Sequence, residues 1–323
     1  MGKMAEIVFG PVPSRRLGRS LGINNIPPPK RCSYSCIYCQ LGATKILTVE
    51  RNRFYDTEIL RKALSEKLSE INEDELDYIT FVPDGEPTLD ESLGAHVEAI
   101  RELSDKPIAI LTNSTLISNE DVRGDLMEFD LVSIKLDAAS EKVWKRINRP
   151  HPSLNLREIL DGVRIFRRNF PGKLISETML IDGVNSESSE IERVAEELSE
   201  IEPDKAYIAI PTRPPAEKWV KPANEEKLVE SYEIFSEFLG RNRVELLIGY
   251  EGAGFMIGED LIKDLLSIAT IHPIRLDYAH QILSKSVHNP DELVQSLVGS
   301  GEIRLVKYRG RTFLVRRRET RES

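Results

Sequence analysis

Residues 30–40 read KRCSYSCIYCQ and hold all three cysteines of the 323-residue chain. Structural zinc sites usually take four protein ligands, and a [4Fe–4S] cube also takes four, one for each iron. Three thiolates on one short loop are too few to complete either shell. One coordination position would therefore stay open, and an open position is where a metal centre can perform chemistry.

The cysteines follow the spacing Cys-x3-Cys-x2-Cys, and Tyr38 stands directly before the third. This motif resembles the cluster-binding loop of the radical S-adenosylmethionine (SAM) superfamily. The resemblance implies that Cys32, Cys36 and Cys39 hold a [4Fe–4S] cluster and that SAM binds the fourth iron through its amino and carboxylate groups. It also places Tyr38 beside the cofactor. A zinc site completed by a histidine and three thiols without a ligand stay open as alternatives.

Length and composition are those of an ordinary folded protein. A chain of 323 residues suits one large domain and a smaller one. Charged residues make up 30% and hydrophobic residues 40%, and no apolar run reaches the roughly 18 residues of a membrane span. The N-terminal MGKMAEIVFG is too short and too mixed for a signal peptide. Because clustered, unpaired cysteines fit a reducing compartment, we expect a cytoplasmic protein with no membrane segment.

Charge is distributed unevenly along the chain. The formal net charge is −9, yet residues 1–53 carry nine Lys or Arg against two Asp or Glu. Residues 302–323 carry eight basic against three acidic residues. Both segments can meet an anionic partner, such as RNA or an acidic electron carrier. Two solvated basic termini are the simpler alternative.

Helix and strand patterns alternate from residue 56 to about residue 248. Apolar runs such as 77–82, 131–136 and 174–181 predict strands, with amphipathic stretches between them that predict helices. This alternation predicts crossover connections and a parallel sheet, and thus an α/β fold. The family resemblance implies a partial (β/α)6 barrel, which we assign to residues 1–255.

Residues 256–323 follow a different pattern. Apolar spacing there predicts three helices and then a hairpin, at about 259–269, 274–284, 290–299 and 302–315. Three helices and a hairpin are typical of a winged-helix-like domain, which binds nucleic acid or peptides or packs on a parent domain. The glycine-rich stretch at 249–255 predicts the hinge before it.

Two motifs follow predicted strands, where barrel enzymes keep their working residues. The stretch Pro83-Asp84-Gly85-Glu86-Pro87 resembles the family's Gly-Gly-Glu loop, which implies that Gly85 and Glu86 receive the amino group of SAM. Asn113, after the next strand, resembles a position near the cofactor's carboxylate or ribose. A plain Gly-Pro turn and the end of a strand are the alternatives for the two stretches.

Lys135 and Asp137 are spaced by two and therefore share one face of their predicted strand. If that face points into the barrel, Asp137 would bind ribose or substrate and Lys135 an anionic group. A salt-bridged barrel layer is the alternative. The resemblance also places Met179 where family members pack an apolar side chain on adenine, although Met179 fits ordinary core equally well.

Arg15 and Arg16 lie upstream of the cysteine loop, in a segment whose residues 9–13 contain one glycine and two prolines. That composition predicts irregular structure. The arginines are candidates for binding substrate phosphate or an acidic reductase, with surface charge as the alternative. The pattern of residues 9–23 resembles Fe–S oxidoreductases related to the tRNA wyosine-base synthases.

A proline-rich loop at residues 211–220 carries two further candidates for substrate contact. Arg213 is the obvious ligand for an anion, and Trp219 can stack on a base or serve only in packing. The loop resembles its counterpart in the wyosine-related subgroup. The archaeal members of that lineage carry extra cysteines for a second cluster, which this chain lacks, so we do not expect their ring-forming reaction.

The resemblance implies reductive cleavage of SAM to methionine and a 5′-deoxyadenosyl radical, which removes a hydrogen atom from the substrate. A one-electron donor such as ferredoxin or flavodoxin would supply the electron. We favour an RNA (tRNA-like) or another large anionic molecule as substrate. The alternatives are a radical enzyme acting on a protein or peptide, for example by installing a glycyl radical, and a non-catalytic Fe–S or zinc protein that binds RNA.

Overall fold

The structure is a computed structural model and describes residues 7–249, 261–271, 273–284 and 287–316. The strands of these ranges are β1 Val8–Ser14, β2 Gly18–Ile23, β3 Arg31–Cys32, β4 Ile46–Leu47, β5 Tyr78–Phe81, β6 Ile108–Leu111, β7 Leu131–Lys135, β8 Lys173–Met179, β9 Lys205–Ala209, β10 Val244–Leu247, β11 Ile274–Arg275, β12 Ile303–Tyr308 and β13 Arg311–Arg316.

The α-helices of the same ranges are α1 Thr57–Glu70, α2 Leu93–Arg101, α3 Glu120–Met127, α4 Glu141–Asn148, α5 Leu156–Asn169, α6 Ser188–Ile201, α7 Glu225–Leu239, α8 Leu261–Ile271, α9 Leu276–Leu283 and α10 Pro290–Gly299. Short 3-10 helices occur at Glu73–Glu75, Pro87–Leu89 and Arg241–Arg243. Several helices begin at a side-chain cap, as at Asn155, whose Oδ1 accepts from two backbone N–H groups of α5.

The main sheet has the order β1-β2-β5-β6-β7-β8-β9-β10. All neighbours from β2 to β10 are parallel, and each pair is connected through at least one helix. Because the carboxyl ends of parallel strands meet at one edge, loops that are distant in sequence converge there. This arrangement confirms the predicted α/β fold with a parallel sheet.

Side chains on the concave side of the main sheet fill one end of the barrel interior. Leu17, from the turn between β1 and β2, joins a buried cluster with inward-facing residues of five strands: Ala109, Leu131, Ile175, Tyr207, Ala209 and Leu247. On β7 and β8 the same faces continue to Lys135 and Glu177, since side chains alternate along a strand. The interior is therefore apolar at one end and charged where the strands end.

Two segments differ from the sequence prediction. The prediction of irregular structure over residues 9–13 is wrong, because this stretch lies within β1, which pairs antiparallel with β2. The register shifts between Phe9 and Val12, and an edge strand with a bulge tolerates prolines that cannot donate to a ladder. Helix α4 was not predicted, and it proves to support the cysteine loop.

The C-terminal part contains the three predicted helices and a hairpin, with β11 added to form the antiparallel sheet β11-β13-β12. It packs on the barrel, where Phe9 and Val12 of β1 share a buried cluster with residues of α8. Lys67 Nζ of α1 also pairs with Asp264 Oδ1 of α8 at 2.9 Å. The winged-helix-like assignment stays a prediction, and the boundary at 255 and the hinge at Gly252 and Gly254 lie outside the described residues.

No helix within the described ranges combines the length and apolar character that a membrane crossing requires.

Candidate cluster and cofactor site

The cysteine loop is fixed to the barrel through β3. Arg31 N donates to Asp84 O at 3.3 Å, and Glu86 N donates to Arg31 O at 3.0 Å, so β3 lies against the end of β5. A Cβ on Gly85 would come within 1.6 Å of Arg31 O, which leaves glycine as the residue that this contact accepts. The Gly-Glu motif therefore has a structural role here that the sequence did not reveal.

Each of the three half-buried cysteines receives a side-chain N–H donor from a different part of the chain. Asn113 Nδ2 donates to Cys32 Sγ at 3.5 Å, and Asn148 Nδ2 donates to Cys36 Sγ at 3.5 Å. Lys30 Nζ donates to Cys39 Sγ at 3.1 Å and to Gly42 O at 2.7 Å. Donors to sulfur stabilise negative charge, so this environment suits thiolates that bind a metal cluster.

Without a metal, the fold keeps the thiols of Cys32 and Cys36 neutral. Burial raises the pKa of Cys32 to about 12, although the nearby Lys30 ammonium lowers it. Burial, together with the Asp137 carboxyl, raises the pKa of Cys36 to about 11. Burial would lower the pKa of Lys30, but the negative charge of the three cysteines as thiolates raises it more strongly, so this ammonium stays charged. Iron would therefore displace protons on binding.

The donor set fits a [4Fe–4S] cluster with three protein ligands. Within the described ranges no group of three or more His, Cys, Asp or Glu side chains is arranged around a single metal ion. A cube differs from such a site because each thiolate binds a separate iron. The described polar contacts of the imidazole rings lie elsewhere: His96 contacts Asp90 and Thr57, His151 contacts Ser153, and His280 contacts Asp291.

Glu86 joins the ends of β5 and β6. Its buried carboxylate accepts from Thr88 N at 3.2 Å, Thr88 Oγ1 at 2.7 Å, Thr112 Oγ1 at 2.5 Å and Asn113 N at 2.8 Å. Burial raises its pKa, and these hydrogen bonds oppose the shift. Glu86 thus orients Asn113, whose Nδ2 also donates to Ser33 Oγ at 2.9 Å. Their predicted contacts with SAM stay predictions.

A buried charge network lies at the ends of β7 and β8. Lys135 Nζ pairs with Glu177 Oε1 at 2.5 Å, and Arg16 Nη1 pairs with Glu177 Oε2. Burial alone would raise the pKa of Glu177, but Arg16 and Lys135 hold it well below its usual range. The Lys135 ammonium also lies 5.2 Å from the centre of the Tyr38 ring. An anionic ligand entering here would therefore meet two cations, of which the Glu177 carboxylate balances one.

Asp137 connects this network to the cysteine loop. The Tyr38 hydroxyl donates to Asp137 Oδ2, and Asn148 Nδ2 donates to the same oxygen at 2.7 Å. Met179 N donates to Asp137 Oδ1 at 2.8 Å. Burial raises the pKa of Asp137, with Lys135 the largest opposing influence. The structure thus brings four of the predicted cofactor residues together around one carboxyl group.

The proline-rich loop lies against the cysteine loop. Arg213 Nη1 donates to Gln40 Oε1 at 2.8 Å, and Glu217 N donates to Ile37 O at 3.0 Å. Trp219 is 49% exposed. Arg213 therefore stands beside the cluster loop, and the substrate roles of Arg213 and Trp219 stay predictions.

Arg15 and Arg16 both contact the ends of barrel strands. Arg15 Nη1 donates to Leu247 O at 2.7 Å and to Gly249 O at 2.9 Å, at the end of β10. Arg16 reaches Glu177 inside the barrel. Their described contacts are thus within the barrel, and the predicted binding of substrate phosphate stays a prediction.

The sequence did not identify three residues that shape the site. These are Lys30, Asn148 and Glu177, the last of which pairs with Arg16 and Lys135. Asn148 is the last residue of helix α4, and the end of this helix holds the cysteine loop by two hydrogen bonds. Ile37 N donates to Ile147 O at 3.0 Å, and Ser35 N donates to Asn148 O at 2.9 Å. Of the three, only Lys30 could have been suspected from sequence, because a cation two residues before Cys32 is close enough to contact the cysteine loop. Asn148 and Glu177 stand in no recognisable motif.

Comparisons with known proteins agree with this geometry. The family model of the radical SAM superfamily matches residues 26–198. A UPF0026 protein of Methanocaldococcus jannaschii is 45% identical over 98% of this chain and 98% of its own length. A UPF0026 protein of Synechocystis is 39% identical over 64% of this chain and 76% of its own length.

Solved structures show the same fold. Native anSMEcpe with bound AdoMet superposes with a TM-score of 0.52 at 19% identity, over 71% of this chain and 63% of that chain. TYW1 with a lysine–pyruvate adduct bound superposes with a TM-score of 0.51 at 15% identity, over 70% and 82%. These likenesses confirm the radical SAM type of partial barrel. The family model covers more than half of the chain, and the geometry of the cysteine loop fits the cluster. The protein therefore belongs to the radical SAM superfamily of enzymes, which bind a [4Fe–4S] cluster and SAM.

Proposed function

We propose that this enzyme cleaves SAM reductively and uses the radical to modify an RNA (tRNA-like) or another large anionic substrate. When bound, the reduced cluster and SAM supply methionine and a 5′-deoxyadenosyl radical able to remove a hydrogen atom from the substrate. The protein positions the reactants and excludes water. Cys32, Cys36 and Cys39 hold the cluster, and their three N–H donors stabilise its negative charge.

Residues at the strand ends would bind SAM. The main-chain oxygens of the loop at 83–86 accept from its ammonium, which has three donors. Lys135 lies within a network that can balance a carboxylate, and Asp137 and Asn113 can meet the ribose hydroxyls. Met179, half-buried at the end of β8, offers an apolar surface for adenine. These assignments are part of the proposal.

The position of the C-terminal hairpin supports an anionic macromolecule as substrate. Its strands carry the exposed side chains of Lys307 and Arg311, with Arg309 at the turn between them. The Tyr308 hydroxyl donates to Pro211 O at 3.0 Å, where the proline-rich loop begins. That loop contacts Gln40, the residue after Cys39. A phosphate backbone held on the hairpin would therefore lie close to the entrance of the barrel.

The turn of the hairpin adds a second observation. Arg309 has φ 49° and Gly310 has φ 70°, so both residues are in the left-handed region. Such a turn usually takes Asn or Asp at its first position, and another residue costs about 1–2 kcal/mol there. Arg309 is exposed at the tip of the hairpin and keeps this unfavourable backbone conformation. We therefore favour a binding role for Arg309 over a purely structural one.

The enzymatic part of the proposal is tested by anaerobic reconstitution with iron, sulfide and dithionite. We expect 5′-deoxyadenosine to form from SAM, and Cys36→Ala to abolish both the brown cluster and this product. If the wild-type protein holds an intact cluster and SAM yet never forms 5′-deoxyadenosine, the enzymatic part is wrong.

The substrate is tested separately, by the salt dependence of RNA binding. Replacing Lys307, Arg309 and Arg311 by Ala should lower the slope of log K against log salt by about 2, since each lost phosphate contact on a single strand contributes about 0.7. The matched control replaces Lys62, Arg168 and Lys173, which are exposed on the barrel. If RNA binds both variants equally, the hairpin does not bind RNA.

A second experiment identifies the substrate class. It compares modified nucleosides, and then peptides, from cells with and without the protein.

A further inference from the structure

A small ribbon separates the first cluster ligand from solvent. It consists of β3 and β4, in which Arg31 pairs with Ile46 and Cys32 pairs with Leu47. Thr48 N donates to Cys32 O at 3.1 Å, and Ile46 N donates to Lys30 O at 3.1 Å. A surface strand therefore touches the main chain of a cluster ligand directly, through one hydrogen bond.

The ribbon is apolar and open. Ile46 is 37% exposed and Leu47 is 38% exposed, and Lys45 before them is also exposed. Successive side chains of a strand point to opposite sides, so the ribbon projects as a ridge with one aliphatic side chain on each flank. Ile46 and Leu47 are neighbours in the chain and pair with β3, so they form a small apolar patch beside the cysteine loop.

Cations outnumber anions beside this ridge, in a protein whose net charge is −9. Arg31 lies on β3 with its guanidinium 5.6 Å from the centre of the Phe54 ring. Arg53, which precedes Phe54 in the sequence, has a side chain that is 82% exposed and pairs with Glu91 Oε2 at 3.7 Å. With Lys45 these residues make three cations, against the two carboxylates of Glu50 and Glu91. An acidic partner would therefore be steered to this face of an otherwise acidic molecule.

The proposed substrate elements contact a different end of the cysteine loop. The proline-rich loop meets Ile37 and Gln40, which flank Cys39, whereas the ribbon contacts Cys32. A partner on the ribbon would thus leave the barrel entrance accessible. This separation suits a protein that delivers electrons while the substrate is bound.

We infer that the ridge formed by β3 and β4, with its basic rim, is the docking surface for an acidic one-electron donor protein of the flavodoxin or ferredoxin type. The inference rests on the proposed reductive cleavage, which needs one electron for each SAM cleaved. The ridge is small, as expected for redox partners that bind and leave quickly. Apolar contact at the centre and complementary charge at the rim give a specific but short-lived complex.

The test compares two electron sources on the reconstituted full-length enzyme. Purified flavodoxin, kept reduced by its reductase and NADPH, must dock on the enzyme, whereas the small molecule dithionite does not need a docking surface. Lys45→Glu should weaken flavodoxin binding, measured by titration calorimetry, and raise the flavodoxin concentration for half-maximal rate, each about three- to tenfold. Dithionite-driven formation of 5′-deoxyadenosine should stay unchanged. Lys173→Glu, an exposed lysine at the opposite end of β8, is the control and should change neither value.

Several results would overturn the inference. Unchanged flavodoxin binding in Lys45→Glu would show that the ridge is not used. A parallel fall of both rates, with lower iron content, would mean that the ribbon serves only to hold the cluster. Competition between RNA and flavodoxin for the ridge would assign it to the substrate instead. Absence of 5′-deoxyadenosine with dithionite would contradict the proposed function, while the calorimetric comparison would still decide the docking surface.

Discussion

Replacement of Lys30 should change the reduction potential of the cluster. The side chain is 2% exposed, and Nζ lies 3.1 Å from Cys39 Sγ. Lys30→Met keeps most of the length and apolar stem but removes the charge and the N–H donor. Because a positive charge stabilises the reduced, more negative cluster, its loss should make the cluster harder to reduce.

The magnitude follows from the charge and its distance. The added electron is shared by the whole cube, so an average separation of about 6 Å is appropriate, which gives roughly 3 kcal/mol at an effective dielectric constant of about 20. That energy equals about 120 mV for a one-electron couple. Since the cysteines are only half-buried, solvent screening reduces the value, and we expect a shift of about 60 to 120 mV to more negative potential.

An anaerobic redox titration followed by electron paramagnetic resonance measures this shift without requiring turnover. Lys30→Arg retains the charge and should stay near the wild-type potential, and Lys173→Met controls for loss of a remote lysine. Iron content must equal that of the wild type in each variant. A shift below about 20 mV, or one to more positive potential, would refute the electrostatic role of Lys30.

Two further predictions concern the scaffold of the site. Gly85→Ala should lower iron incorporation severely, because the new Cβ would lie 1.6 Å from the main chain of β3. Gly124→Ala on α3, where a Cβ meets open space, is the control and should be neutral. An iron assay and thermal unfolding compare the two variants. Glu177→Gln should destabilise the fold at pH 7 by about 3–5 kcal/mol, because Arg16 and Lys135 lose their buried counter-charge. As the folded pKa of Glu177 is depressed, its contribution is complete above its ordinary value of 4.5 and is lost as pH falls below that value, so denaturation curves of variant and wild type should converge in acid.

The alternation of strands and helices in the barrel could be predicted from sequence because each element has its own apolar period. Most predicted elements end within a few residues of the observed ones, as for β6 at Ile108–Leu111. Helix α4 escaped prediction because it is short and mostly polar, although it buries Trp144 and Ile147. Strand β1 escaped because its prolines indicate a turn, and only the edge position of the strand makes them acceptable.

The three candidate cluster ligands could be identified from sequence because their chemistry is concentrated in one short motif. The groups that surround the sulfur atoms could not, since they come together only through the fold. Asn148 and Cys36 are 112 residues apart, and Asn113 and Cys32 are 81 apart. No local pattern in a single sequence indicates such pairs. The pairing of Glu177 with Arg16 across 161 residues was hidden for the same reason.

The three N–H donors have a consequence for how such an enzyme can change over evolutionary time. Asn113, Asn148 and Lys30 each serve a different sulfur and belong to different segments of the chain. Substitution at any one of them would alter the driving force for reduction by a limited step and leave the iron ligands intact. A lineage that acquires a weaker or stronger reductant can therefore adapt at these positions first, one at a time.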